Sequence, residues 1–318
     1  MQLDPPGTDA LTARSSRVVN ARKLQRRRAR DKAERFLAEG PQAVREAIGA
    51  GVVEDLFYDL DADTRHSDLI DAALSAGAHV HACTDDGLAA LAETVTPQGL
   101  VAVCRFLDQS LPAEGALVAV LHGITDPGNA GTVLRAADAA GADCVVFATD
   151  SVDPYNGKCV RSSAGSLFHL PVVRAADTAD ALDLFPHAQI LAAAADGDDL
   201  YALDGAGDLD APTVWLFGSE AHGLDEATAA LAHRKVGVPI WGKAESLNLA
   251  VAAGVCLYAS AAAQRRKLDW CHVNRLSRIY PARRVRAVAL VVHVFPSGLR
   301  PSRLPFLDSF RSRQEKDV

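Results

Sequence analysis

The chain has 318 residues, room for two domains of ordinary size, and its 49% hydrophobic content allows each a buried core. Its many alanines, single methionine and few aromatic residues suit helices packed on a sheet better than an all-β sandwich. A formal net charge of −7 excludes a protein that holds nucleic acid by bulk charge, so any such contact must come from a local patch.

Residues 1–19 are polar and read as a flexible N-terminus. From Asn20, a suitable cap, the pattern predicts a helix with only Leu24, Phe36 and Leu37 as apolar anchors. It carries a run of cations: Arg22, Lys23, Arg26, Arg27, Arg28, Arg30, Lys32 and Arg35. So basic and weakly apolar a helix reads as an exposed arm, and by itself the run reads as a solvated helix face. Residues 20–106 join this arm to a small α/β unit, with strands at 52–58, 78–83 and 100–106 alternating with helical stripes near 43–48, 69–74 and 88–91. His79, His81 and Cys83 alternate along one of those strands. They lack a fourth ligand at metal-like spacing, so they read as ordinary strand residues and no metal is expected.

Residues 107–115 have linker composition and mark a domain boundary. A second unit follows at 116–266. Strands are expected at 117–121, 144–148, 189–193, 213–217 and 235–238, with helices at 130–140, 158–163, 178–184 and 225–231 and a long alanine-rich helix at 247–264. Alternating strand and helix implies a mostly parallel sheet covered on both faces. Residues 267–318 change composition, carry no sustained period and read as an atypical, poorly ordered tail. The longest apolar run there, 287–295, is too short to span a bilayer, so no membrane contact is expected. The six cysteines are scattered without a Cys-x-x-Cys pair or a signal-like segment, the pattern of reduced thiols in a cytoplasmic protein.

Three segments of the second unit carry candidate chemistry. The first, Asp126-Pro127-Gly128-Asn129-Ala130-Gly131-Thr132-Val133-Leu134-Arg135, follows a strand and opens a helix. Asn129 sits at a capping position, and Arg135 lies six residues on, nearly two turns, so both are expected to face a site at the helix start. Alone, the segment reads equally well as a glycine-containing turn with a surface arginine; its Gly-x-x-Gly spacing fails the dinucleotide fingerprint and so argues against a nicotinamide-dependent dehydrogenase. In the second, Leu216-Phe217-Gly218-Ser219-Glu220-Ala221-His222-Gly223-Leu224, a buried strand ends at Gly218 and holds Glu220 at the sheet edge where α/β folds place ligands. His222 could touch substrate, but filling a turn is the simpler role. The third, Val238-Pro239-Ile240-Trp241-Gly242-Lys243-Ala244-Glu245-Ser246-Leu247-Asn248-Leu249, runs from a strand into the last helix, with Ser246 as its natural cap and Asn248 able to bond several neighbours.

Taken together, Asn-x-Gly-x-x-x-Arg, Phe-Gly-x-Glu-x-x-Gly and Pro-Ile-x-Gly-x-x-Glu-Ser-Leu-Asn resemble, in order and spacing, the three motifs of the SpoU (TrmH-like) family of the SPOUT superfamily of RNA 2′-O-ribose methyltransferases. The first unit is similar to that family's substrate-binding domain, through the phrases Phe36-Leu-Ala-Glu-Gly-Pro41 and Thr96-Pro-Gln-Gly99. The resemblance implies a mostly parallel α/β sheet with a C-terminal trefoil knot, a bound S-adenosylmethionine and a homodimer. It implies that backbone at Gly218, Ile240 and Leu249 holds the cofactor, and that Asn129, Arg135, Glu220, Ser246 and Asn248 form the catalytic set. With an RNA-modifying domain behind it, the basic arm reads as a phosphate-contacting surface through Arg22, Arg26, Arg27, Arg28 and Arg30. The added substrate domain favours 23S rRNA over tRNA. A catalytically silent RNA-binding or ribosome-assembly module on the same fold is the alternative, and the intact motif residues argue against it.

Overall fold

The computed structural model describes residues 10–60, 65–107, 116–175 and 177–279, with side chains described as far as Lys267. Residues 108–115 of the expected linker at 107–115, the tail beyond 279 and residues 1–9 of the expected flexible N-terminus lie outside the described residues.

The first unit is built on a four-stranded sheet, β1 (Arg35–Glu39), β2 (Val53–Asp59), β3 (His79–Cys83) and β4 (Leu100–Arg105), in the order β1-β4-β2-β3. β4 runs antiparallel to both neighbours, and β2 and β3 are parallel. One face is covered by α3 (Pro41–Gly49) and α4 (Ser67–Ser75), which contribute Val44, Ala47, Leu69 and Ile70 to the main core. The other face is covered by α1 (Ser16–Arg22) and α5 (Asp85–Leu91), through Val18, Ala21, Leu88 and Leu91.

The N-terminal helix therefore differs from the expected arm. It forms as α1, a 3₁₀ turn at Lys23–Gln25, and α2 (Arg27–Ala33), with Val18 and Leu24 buried. Glu34 takes a left-handed conformation that ends α2, and Phe36 and Leu37 lie in β1 rather than on a helix. The reason is burial on both sides: Phe36 and Ala38 face one core, Leu37 the other, so no polar residue marks the strand's period of two. His81 is buried 2.9 Å from Asp55, which also meets Arg17, while His79 is exposed.

The second unit is a fully parallel six-stranded sheet: β5 (Leu117–Leu121), β6 (Cys144–Phe147), β7 (Val172–Arg174), β8 (Gln189–Asp199), β9 (Thr213–Phe217) and β10 (Arg234–Gly237). Their order is β10-β8-β9-β5-β6-β7. β5 and β9 are buried along their whole length because helices cover both faces. Leu117, Ala119 and Leu121 pack with α6 (Pro127–Ala140) and α11 (Leu249–Ile279), whereas Val118 and Val120 pack with α8 (Thr178–Asp183). A buried hydrogen bond from Trp215 Nε1 to Ser260 Oγ (2.9 Å) pins α11 to β9. The chain moves outward from β5 through β6 to β7, then returns to build β8, β9 and β10 on the other side. The strand order thus reverses between β5 and β9, and a crevice opens at their carboxyl ends.

α11 runs to Ile279, well past the expected end near 264 and into the expected poorly ordered tail. Residues 265–280 contain neither glycine nor proline, and Pro281 is the first residue that forbids continuation. Both sheets belong to one compact unit ending at Gln264. Phe36, Phe106, Tyr155 and Phe168 stack between them. Arg174 lies 4.6 Å over the Phe106 ring and reaches Asp31 at 3.1 Å.

Candidate active site

The crevice is built from three chain turns. At the end of β5 the chain bends through His122 and Gly123 and enters α6 at Pro127, whose missing N–H costs nothing at that position. Asp126 caps the helix by accepting from Asn129 N (3.1 Å), and its other oxygen accepts from Lys158 Nζ (2.6 Å). That lysine, with the backbone N–H groups of the helix start, holds the Asp126 carboxyl below the usual carboxylate range.

At the end of β9, Gly218 is buried, and an added Cβ would collide with the backbone of Gly223 and Leu224. The clash is avoided only by glycine, which lets Ser219 and Gly223 exchange backbone hydrogen bonds of 3.0 and 2.9 Å across a tight turn. This turn carries Glu220 to the crevice, where its Oε1 accepts from Asn129 Nδ2 (3.1 Å). The Asn129 amide is used at its other end too: Oδ1 accepts from Asn248 Nδ2 (3.1 Å). Asn248 in turn caps α11, its Oδ1 accepting from Ala250 N (2.9 Å) and Val251 N (3.3 Å). Glu220, Asn129 and Asn248 therefore form one hydrogen-bonded chain across three segments separated by 91 and 119 residues.

The first two turns enclose an open cleft of about 640 Å³, lined by His122, Asp126, Asn129, Glu220, His222, Asp225 and the intervening backbone. His122 was not among the expected site residues. The signal that could have found it is the one that found Glu220: a polar residue directly after a buried parallel strand. Its Nδ1 lies 2.8 Å from Thr178 Oγ1 and its Nε2 3.4 Å from Asp225 Oδ2. Asp225 caps α10 (Glu226–Ala229) and is held below the usual carboxylate range, chiefly by hydrogen bonds from Thr228.

Other expected residues stand apart from this cleft. Arg135 is exposed and makes no hydrogen bond or ion pair among the described residues. A six-residue step turns a helix by about 240°, so Asn129 and Arg135 point from different faces of α6. Ser246 is exposed, and Asn248, not Ser246, caps the last helix; the helix starts later than expected, at Leu249. Of the basic residues, Arg22, Arg26, Arg27 and Arg28 are exposed. Arg30 is not available to a ligand: it is 3% exposed, its Nε donates to Asp153 Oδ2 at 2.7 Å, and its NH1 caps the carbonyls of Leu24 and Gln25. An arginine buried this way has its charge and donors satisfied internally.

Beside the cleft, residues 239–247 make no hydrogen bond to the described remainder of the chain, so their backbone donors and acceptors are open to a ligand. Ile240 and Leu247 are partly exposed there, and Trp241 is 83% exposed, stacked on Tyr201 with ring centroids 5.7 Å apart. These apolar side chains and free backbone groups lead directly into half-buried Leu249 at the start of α11.

Residues 116–258 match the SpoU rRNA Methylase family, and residues 15–102 match the MRM3-like substrate binding domain. The 23S rRNA (guanosine(2553)-2′-O)-methyltransferase RlmP of Bacillus subtilis is 35% identical over 255 residues, 78% of this chain and 96% of that one. The AdoMet-bound rRNA methyltransferase from Sinorhizobium meliloti has a similar structure, with TM-score 0.70 and 29% identity over 82% of this chain and 98% of the other. The SpoU methyltransferase AviRb from Streptomyces viridochromogenes, in complex with AdoMet, gives TM-score 0.70 and 30% identity over 80% and 99% of the two chains.

Proposed function

This chain belongs to the SpoU rRNA methylase family, and from that premise we propose that it transfers a methyl group from S-adenosylmethionine to a ribose 2′-OH of 23S rRNA. The observation that carries the reading is the Glu220–Asn129–Asn248 chain of hydrogen bonds, which joins the three motif segments at one cleft. The names of the relatives, an rRNA 2′-O-methyltransferase and AdoMet-bound methyltransferases, favour the same chemistry and cofactor.

S-adenosylmethionine supplies a methyl group already activated by its positive sulfur, so the chain's task is to hold, align and deprotonate. Backbone at Gly218, Ile240 and Leu249 would hold the nucleoside, with the unbonded 239–247 loop closing over it. Asn129 keeps Glu220 and Asn248 in place, and alignment of this kind is worth up to about 7–11 kcal/mol in favourable cases. Arg135 is a poor base, since a guanidinium holds its proton to a pH above about 12. Its unpaired charge suits an RNA phosphate instead. Ser246 lies on the loop that would close on the ligand. Arg22, Arg26, Arg27 and Arg28 offer a phosphate-contacting patch on a chain whose net charge is −7.

A homodimer fits the exposed apolar residues Val251 and Tyr258, seven residues and about two turns apart on one side of α11. The knot belongs to the same proposal: Gly197 has no room for a Cβ because the end of β8 passes in direct contact with the backbone of Lys235 and Val236 in β10. No described helix is long and apolar enough to cross a membrane, and an rRNA substrate makes the cytoplasm the working compartment. The test is to incubate the purified protein with S-adenosylmethionine and either 23S rRNA or tRNA from cells lacking it, then measure 2′-O-methylnucleosides by mass spectrometry. Methyl transfer to 23S rRNA is expected; transfer to tRNA alone changes the substrate, and transfer to neither overturns the proposal.

A further inference from the structure

We propose that Trp241 is an open stacking platform for an unpaired base of the substrate RNA, a site that adds to the reading of the chain as an RNA 2′-O-methyltransferase and rests on it. Tryptophan is highly buried on average, yet Trp241 is 83% exposed. It fills the open position of the Pro-Ile-x-Gly phrase, so the shared motif does not account for it. Its ring is not loose. It stacks on Tyr201 with the ring planes 15° apart and the centroids 5.7 Å apart, within the range of offset aromatic pairs. Tyr201 is itself held firmly in the first turn of α9 (Leu200–Ala206). Asp199 accepts from its N–H at 2.7 Å, and its neighbours Leu200 and Leu203 are buried in the main core. One face of Trp241 therefore rests on a fixed ring. The rest is open, and a Cβ added at the next residue, Gly242, would meet nothing within 4 Å.

The openness selects the ligand. A small-molecule site buries about 70–90% of what it binds, which a ring this exposed cannot do, so it argues against the adenine of S-adenosylmethionine as the occupant. Single-stranded RNA is bound on exposed aromatic faces, next to cations that meet its phosphates. Lys243, two residues on, is such a cation: it is exposed and makes no ion pair among the described residues. Lysine is depleted from the cores of protein interfaces, which favours RNA over a second copy of the chain. The acidic run 196–199 that leads into α9 is largely offset. Arg234 lies 3.6 Å from Asp198, Lys235 lies 3.7 Å from Asp196, and Asp199 is engaged in the helix cap. The platform is also within reach of the chemistry. Asn248, bonded to Asn129 at the cleft, comes seven residues after Trp241, and seven residues span at most about 25 Å. A base on Trp241 thus belongs to a nucleotide flanking the target ribose. Every base has a π-face, so the stack orients the strand without selecting its sequence.

Two measurements test the platform. The first is steady-state kinetics on 23S rRNA for the wild type, W241F, W241L and W241A, with S-adenosylmethionine affinity, oligomeric state and melting temperature measured alongside. W241A is expected to raise KM for RNA about 5–150-fold, the worth of one base–aromatic stack. Its kcat is retained, because the stack is present before and during methyl transfer alike. W241F recovers most of the loss, whereas W241L, apolar but without a π-face, does not. Cofactor affinity and oligomeric state stay at their wild-type values. The second measurement needs no methyl transfer. The chain has three tryptophans, so W270F leaves Trp241 and fully buried Trp215 as its fluorophores. Single-stranded oligoadenylate is expected to quench the emission of W270F and to leave that of W241F/W270F unchanged. A wild-type KM in W241A, equal KM in W241F and W241L, or unquenched W270F overturns the proposal. Weaker cofactor affinity or a changed oligomeric state in W241A overturns it too, by placing the cofactor or a second copy on the ring. Methylation with an unchanged KM in W241A removes the platform and leaves the function standing; quenching of W270F in a protein that methylates no RNA removes the function and leaves Trp241 as an RNA-stacking site.

Discussion

Arg30 and Asn129 show how much one side chain depends on residues far away in the chain. Arg30 sits in a run of cations that look alike, and only Asp153, 123 residues on, turns it inward. Nothing in the run distinguishes it from Arg27 or Arg28, which is why its role was not legible in the sequence. Both members of the Arg30–Asp153 pair are 3% exposed, so removing one strands the other. R30M is expected to lower unfolding free energy by about 3–5 kcal/mol in a denaturant titration, while R28M changes it by less than about 0.5. Asn129 was legible, because a small polar residue between a strand and a helix has few purposes. Its two partners were readable only as members of the same motif set.

At the scale of elements, continuous apolar runs were the easiest to read. β5 and β9 lie at 117–121 and 213–217 as expected, since a central parallel strand is apolar on both faces. β1 is apolar on both faces too, but it directly follows a helix, and its Phe36 and Leu37 were read as that helix's anchors. The start of α11 was ambiguous for a different reason. Ser246 and Asn248 are both good caps two residues apart, and the choice falls to Asn248 because Asn129 holds its side chain in place. N248A should therefore cost about 0.5–2 kcal/mol in a thermal melt, and S246A should leave stability unchanged. Equal losses in the two variants would place the cap elsewhere.

Over the whole molecule, the two sheets are joined by polar contacts as well as by the stacked aromatic rings. His169 bridges them: Nε2 lies 3.0 Å from Glu46 of the first unit, and Nδ1 lies 2.9 Å from Asp138 of α6. These two carboxylates raise the imidazole above its ordinary value, hydrogen bonding to Glu46 being the largest cause. A raised folded value means the bridge contributes fully at pH below the unfolded imidazole range, near 6.5, and fades as pH climbs through the raised value. Melting curves should show H169Q less stable than wild type at about pH 5.5–6, with the gap closing toward about pH 9; a gap that is constant or widens with pH would exclude the bridge.

The loop at 239–247 gives the molecule a dependence on its surroundings. Nine consecutive residues have no main-chain hydrogen-bond partner among the described residues, and the stacking of Trp241 on Tyr201 is their main side-chain anchor, so their order is borrowed rather than built in. Any compound that binds them only in the native fold adds stability in proportion to the logarithm of its concentration. The same stretch leads into α11 through Asn248, and α11 packs along β9. With the methyl donor held there as proposed, starvation for it would loosen the enzyme at this segment, coupling the protein's persistence in the cell to the supply of its own reactant.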